Sequence, residues 1–152
     1  MRSNTAFART FLDESPESIL TTVKFFETGV DEQSGIIMKN TKDQMVVMAL
    51  SMRAKQPKRD VVSGTKGYVE INHYPRATEA DITYTASAHE EKHDKITAGD
   101  SDKALEYEVQ DMQRYIDQGH DDGQLQMSHD ITHILTSVRT SWGMKYSFDD
   151  EK

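Results

Sequence analysis

The sequence predicts an α+β fold: a large, mostly antiparallel, open-faced sheet with helices packed on one face. Three observations predict it. One helical segment opens the chain, about six or seven β-like runs follow, and two helical segments close it. The later β-like runs alternate apolar and polar residues, as strands with one wet face do. The closing helices carry their apolar residues at the spacing of a single helix face.

Taken in order, Ser3 to Leu12 (SNTAFARTFL) has helical composition and breaks at Asp13-Glu14-Ser15-Pro16. Ile19 to Thr28 (ILTTVKFFET) is rich in β-branched and aromatic residues. Gly35 to Asn40 is a second strand, followed by the polar turn Asn40-Thr41-Lys42-Asp43. Gln44 to Arg53 (QMVVMALSMR) is apolar on both alternating faces. Arg59 to Ser63 leads into Gly64-Thr65-Lys66-Gly67, a glycine-bounded turn. Tyr68 to Asn72 and Asp81 to Ala86 alternate cleanly, and Lys95 to Ala98 is the last short strand. The helix Asp102 to Gln118 places Leu105, Val109, Met112, Tyr115 and Ile116 on one face and stops at Gly119. Ser128 is read as the N-cap of the next helix, whose buried face is Ile131, Ile134, Leu135, Val138 and Trp142, with Gly143 closing it.

No repeat, linker or low-complexity segment interrupts the 152 residues, so one domain, 1–152, is expected. The absence of cysteine excludes disulfides, thiolate metal sites and a cysteine nucleophile, and suits a reducing compartment. A net charge of −8 argues against nonspecific nucleic-acid binding. No apolar run approaches the roughly 20 residues a membrane helix needs, and no apolar signal core follows Met1-Arg2-Ser3-Asn4-Thr5. A cytoplasmic chain with no membrane partner is the expectation.

One segment matches a catalytic pattern. His89-Glu90-Glu91-Lys92-His93 reads H-E-x-x-H, the signature of a zinc hydrolase. That site requires both histidines on one helix face, one turn apart. Here period-two alternation lies on both sides, in Ile82 to Ala86 and in Lys95 to Ala98. Ser87 to Asp94 has no helical apolar stripe, so it is read as the tip of a β-hairpin. A second pair, His129 and His133, stands at i, i+4 on the last helix; such pairs are more often surface or packing residues than metal ligands. His73 and His120 sit in loop contexts without a motif.

Other chemistry is lacking in the sequence. There is no G-x-G-x-x-G, P-loop or G-x-S-x-G. Gly64-Thr65-Lys66-Gly67 joins two strands and opens no helix, so it lacks the helix N-terminus that binds phosphate. Glu106, Glu108 and Asp111 are read as a solvated helix face, and Asp31-Glu32 as a strand junction with no assignable partner. No catalytic, cofactor-binding or metal residue is assigned, and no cofactor is expected.

The run GVDEQSGIIMKNTKDQMVVMALSMRA, followed by VVSGTKGYVEI, resembles the C-terminal domain of the glucose–fructose oxidoreductase / inositol dehydrogenase (Gfo/Idh/MocA) family. There, Gly-Val-Asp-Glu opens a strand, a hairpin follows, and a GTxG turn leads into Tyr-Val-Glu-Ile. ALEYEVQDMQRYI and SHDITHILTSVRTSWGM resemble its two closing helices, so the match runs from roughly Phe7 to Phe148. The resemblance implies part of a two-domain NAD(P)-dependent oxidoreductase. The dinucleotide-binding Rossmann domain of such enzymes and the lysine of their Glu-Lys-Pro motif have no counterpart in these residues, and the segment matching the Asp-x-Gly-x-His helix starts MRSNTAFARTFL. No catalytic residue carries over.

The function expected is therefore an isolated, non-catalytic C-terminal domain, excised or engineered, that folds and self-associates. The alternatives are a substrate domain serving a separate Rossmann chain, and a metal-binding protein using His89 and His93 or His129 and His133. Self-association follows from the earlier strands, where neighbours on opposite faces are both apolar: Phe25 and Phe26, Ile36 and Ile37, Met45 to Leu50, Val61 and Val62. Helices cover one face; the other leaves an apolar patch on the order of several hundred Å², which a homodimer through the open sheet face would bury. In the later strands Glu70, Asp81, Thr83, Thr85, Lys95 and Thr97 are expected to face water.

Overall fold

Alternation along the strands and the apolar stripes of the helices set the architecture. In the computed structural model, which describes residues 1–87, 90–121 and 124–146, the order is α1 (Arg2–Phe11), β1 (Ser18–Phe25), β2 (Asp31–Lys39), β3 (Met45–Ser51), β4 (Arg59–Gly64), β5 (Gly67–Asn72), β6 (Glu79–Ser87), β7 (Glu90–Thr97), a 3-10 turn (Ser101–Lys103), α2 (Ala104–Gln118) and α3 (Gln124–Ser141). The α+β class and the antiparallel pairing agree with the sequence reading. Hydrogen bonding runs in two ladders, β1-β2-β3 and β4-β5-β6-β7. The chain divides accordingly into one unit of Met1–Gln56 with Gly123–Lys152 and another of Pro57–Asp122.

In the first unit β2 pairs antiparallel with both neighbours and its residues alternate between the two faces. Ile36 and Met38 point to the side covered by α1 and α3, where they cluster with Ala8, Met48, Ile134 and Val138. Burying each large member of this cluster stabilises the fold by about 1.5–3 kcal/mol. The turn between β2 and β3 is built by its own side chain. Buried Asn40 accepts from the backbone N–H of Lys42 (3.1 Å) and Gln44 (3.0 Å) through Oδ1, and donates to Gln44 Oε1 at 2.7 Å. Asp43 takes the left-handed conformation (φ 62) that closes the turn.

The second unit is a four-stranded meander followed by α2. The two-residue link Thr65-Lys66 lets Gly64 pair with Gly67 across the β4–β5 hairpin. Gly67 is required there: its φ is +146°, and a Cβ would lie 2.0 Å from the Thr83 carbonyl oxygen. Gly119, at φ 71, ends α2, and its N–H bonds the Tyr115 carbonyl at 2.9 Å.

Several boundaries and environments differ from the sequence reading. α3 begins at Gln124, so Ser128 lies inside it and not at its N-cap; its carbonyl accepts from Thr132 Oγ1 at 2.8 Å. Met127 stands one turn before Ile131 on the same stripe, but Ser128 is also a helix-capping residue type, and composition alone does not separate the two roles. Asp31 and Glu32 belong to β2 and not to a junction. Thr83 is buried and not in water: it sits between Tyr68 and His93 in the ladder, and those larger side chains flank it. On α2 only Tyr115 is even half-buried; Leu105, Val109, Met112 and Ile116 all stand in solvent.

Candidate functional site

The open face of the first sheet is the feature with the clearest physical consequence. Leu20 on β1 pairs with Ile37 on β2, and Ile37 pairs with Val47 on β3. These three form one apolar row across the sheet, on the face away from the helices. Leu20 is 65 % exposed, Ile37 41 % and Val47 71 %, with Met45 beside them at 63 %. Val47 and Met48 resolve as the alternation requires: Val47 faces out, while Met48 is buried in the core. On the same face the next row, Thr22, Gly35 and Ala49, has small side chains and borders a shallow cavity of about 400 Å³ also lined by Lys24, Gln33, Ser51, Ala54 and Gln56.

The covered face is tied down by polar contacts that the sequence did not disclose. Arg9 on α1 donates through Nε to Asp130 Oδ2 on α3 at 2.8 Å, and through Nη1 to the Leu12 carbonyl at 2.7 Å. Burial by itself raises the Asp130 carboxyl; hydrogen bonds from Gln126, Ser15 and Arg9, with the Arg9 charge, outweigh it and hold the group below its ordinary value. Trp142 is half-buried against the core and donates through Nε1 to Thr21 Oγ1 at 2.9 Å. Glu32 has the partner that sequence reading could not assign: Lys24 Nζ lies 3.0 Å from its Oε1, across the β1–β2 pair. Lys24 faces Gln33 in the regular ladder; the register shift between Lys24 and Phe25 leaves Glu32 without a facing residue on β1, next to Lys24, and such a bulge is invisible until the strands are paired.

The described residues of the H-E-x-x-H segment, Glu90 to His93, are in a strand and not in a helix. Glu90 to Asp94 lies in β7, paired with Ile82 to Ser87 of β6, so the strand runs further than the hairpin tip inferred from polarity. His89 lies outside the described residues. On an extended strand Glu90 and His93 fall on opposite faces, so a glutamate one turn from a histidine pair does not arise. His93 Nδ1 lies 3.2 Å from the Thr83 hydroxyl and Nε2 3.6 Å from Glu91 Oε2. His129 and His133 are both exposed on α3. Among the described residues no group of three or more His, Cys, Asp or Glu is placed to hold a metal ion, and no helix is long and apolar enough to cross a membrane.

In the second unit Asp60 and Tyr74 are both half-buried, and the sequence reading singled out neither. Burial raises the Asp60 carboxyl, and its Oδ2 has no hydrogen-bond partner among the described residues. Burial, then the Asp60 charge, raises the Tyr74 phenol. An aspartate paired with Ile71 on the more apolar face of this sheet gives no periodic signal that would mark it.

Comparison with known proteins bears on most of the chain in fold and on less than half of it in sequence. No family model matches the sequence. A stretch of 61 residues, 40% of the chain, is 33% identical to trans-1,2-dihydrobenzene-1,2-diol dehydrogenase of Xenopus laevis, taking in 18% of that protein. The fold superposes on UDP-N-acetylglucosamine 3-dehydrogenase from Acidithiobacillus ferrooxidans with a TM-score of 0.73, at 13% identity, over 92% of this chain and 45% of that one. The chain thus spans under half the length of either dehydrogenase it matches. In fold, and over a limited stretch of sequence, it resembles dehydrogenases of the glucose–fructose oxidoreductase / inositol dehydrogenase type, as the order of its motifs implied.

Proposed function

We propose that these 152 residues serve as the non-catalytic, self-associating domain of an oxidoreductase of this type, and that the open face of the first sheet joins two copies. The observation that carries the proposal is the exposed row Leu20–Ile37–Val47 opposite a face already filled by α1 and α3. A twofold axis lets one such patch cover itself, and a flat sheet face packs on another at about 10 Å. The superposition over 92% of the chain supports reading both units as parts of one domain. The absence of a glycine-rich phosphate turn opening a helix supports the lack of dinucleotide chemistry in these residues.

Light scattering at micromolar concentration should give twice the chain mass, and Val47→Lys should return it to the chain mass with unchanged circular dichroism. A wild-type monomer persisting at about 100 μM, well above the Kd of a stable interface, would end the dimer reading. Mixed with NADH or NADPH and a polyol, sugar or dihydrodiol, the chain alone should show no turnover above background and no change in nicotinamide fluorescence. Turnover that survives further purification would instead make the chain an enzyme. Turnover restored only by adding a separate Rossmann chain would favour the substrate-domain alternative.

A further inference from the structure

We propose that His129 and His133 form a two-histidine chelate on the solvent face of α3 for a borderline divalent transition ion of the Cu²⁺, Ni²⁺ and Zn²⁺ class. The burial pattern fixes the face. Asp130, Ile131, Ile134 and Val138 are the buried positions of α3, while His129 and His133 are both exposed. One helical turn apart, their Cβ atoms stand about 5–6 Å from each other, close enough for two imidazoles to take adjacent positions on one ion.

The rings are available for this. His133 makes no hydrogen bond or ion pair among the described residues, and His129 Nδ1 lies 3.9 Å from Asp130 Oδ1, too far for a hydrogen bond. The helix between the two rings is anchored from its other side. Ile131 and Ile134 are buried, and Asp130 is held by Arg9 and Gln126. That anchoring keeps the ligand spacing, and it also commits Asp130, so Asp130 does not become a third ligand. The remaining coordination positions belong to water, which makes this an exchangeable site and not a closed structural one. The chain has no cysteine, so no thiolate competes for the ion. With imidazole ligands, affinity should follow Cu²⁺ over Ni²⁺ and Zn²⁺. The chelating spacing exists only while α3 is helical, so the ion should stabilise the folded chain.

The test is a titration of the full chain with Ni²⁺, followed by the side-chain NMR signals of its histidines. The His129 and His133 signals should broaden first and together. His129→Ala and His133→Ala should each weaken Ni²⁺ binding by about tenfold or more, the loss expected when two linked contacts become one. His93→Ala should leave it unchanged. Cu²⁺ should raise the thermal midpoint of the wild type and not of either helix variant; His133→Gln serves if the alanine variant is poorly folded. Equal broadening across all histidines, first broadening at His93, or undiminished affinity in both helix variants would overturn the proposal.

Discussion

The two units use the same ingredients with different success. In Met1–Gln56 with Gly123–Lys152, two helices lay their apolar faces on a three-stranded sheet, and every buried apolar side chain among the described residues belongs to this unit. In Pro57–Asp122, Val61, Tyr68, Tyr84 and Ile96 stand exposed on the sheet, and α2 holds Leu105, Val109, Met112 and Ile116 in solvent. Its one buried residue among those described is Thr83. An amphipathic helix is a requirement for a core and not a guarantee of one: the stripe stabilises the fold only where a matching surface meets it.

The largest expected effect breaks this contrast directly. Ile134→Ala removes a side chain 2 % exposed in the first unit's core and should cost about 2–5 kcal/mol. Ile96→Ala, at 50 % exposure in the second unit, should stay within about 0.5 kcal/mol. Urea unfolding of the two variants reads both. Equal losses would mean that the second unit is buried as deeply as the first.

The next effect concerns the polar tie that holds α1 to α3. Asp130→Ala leaves Arg9 without its carboxylate and should cost about 1.5–3 kcal/mol, the range for a hydrogen bond to a charged group. Its pH dependence has a definite sign. The folded-state carboxyl lies below its unfolded value of about 3.9, so its contribution is complete above that pH and is lost as pH falls through the lower folded value. Asp130→Asn should remove that acid-side slope. An acid denaturation curve unchanged by the substitution would show that the ion pair is not what the low pKa reports.

The smallest expected effect sharpens the comparison within the second unit, where backbone fit replaces side-chain packing. Gly67→Ala drives a Cβ into the Thr83 carbonyl at a φ of +146° and should cost about 1–3 kcal/mol. At Gly64 the nearest atom to an added Cβ is 3.6 Å away, an ordinary contact, and Gly64→Ala should be near neutral, within about 0.5 kcal/mol. Thermal midpoints of the two variants distinguish them; equal shifts would remove the claim that Gly67 sets the β4–β5 hairpin.

Local patterns carried much of this protein into view from the sequence alone. Alternation in β2 and β3 determined which residues share a face, since successive side chains on a strand must point opposite ways. Gly64-Thr65-Lys66-Gly67 determined a tight hairpin, and period-two flanks determined that Glu90 to His93 would not be helical. Tertiary structure alone decided the rest, because it depends on which elements meet. Packing chose Met48 for the core and left Val47 outside. A register shift in the β1–β2 pair placed Lys24 beside Glu32, and the meeting of α1 with α3 placed Arg9 beside Asp130, 121 residues apart in the chain. The stripes of α2 and α3 read alike as sequences. A sheet face met α3 and not α2, and burial free energy follows the surface that is met, not the pattern that seeks it.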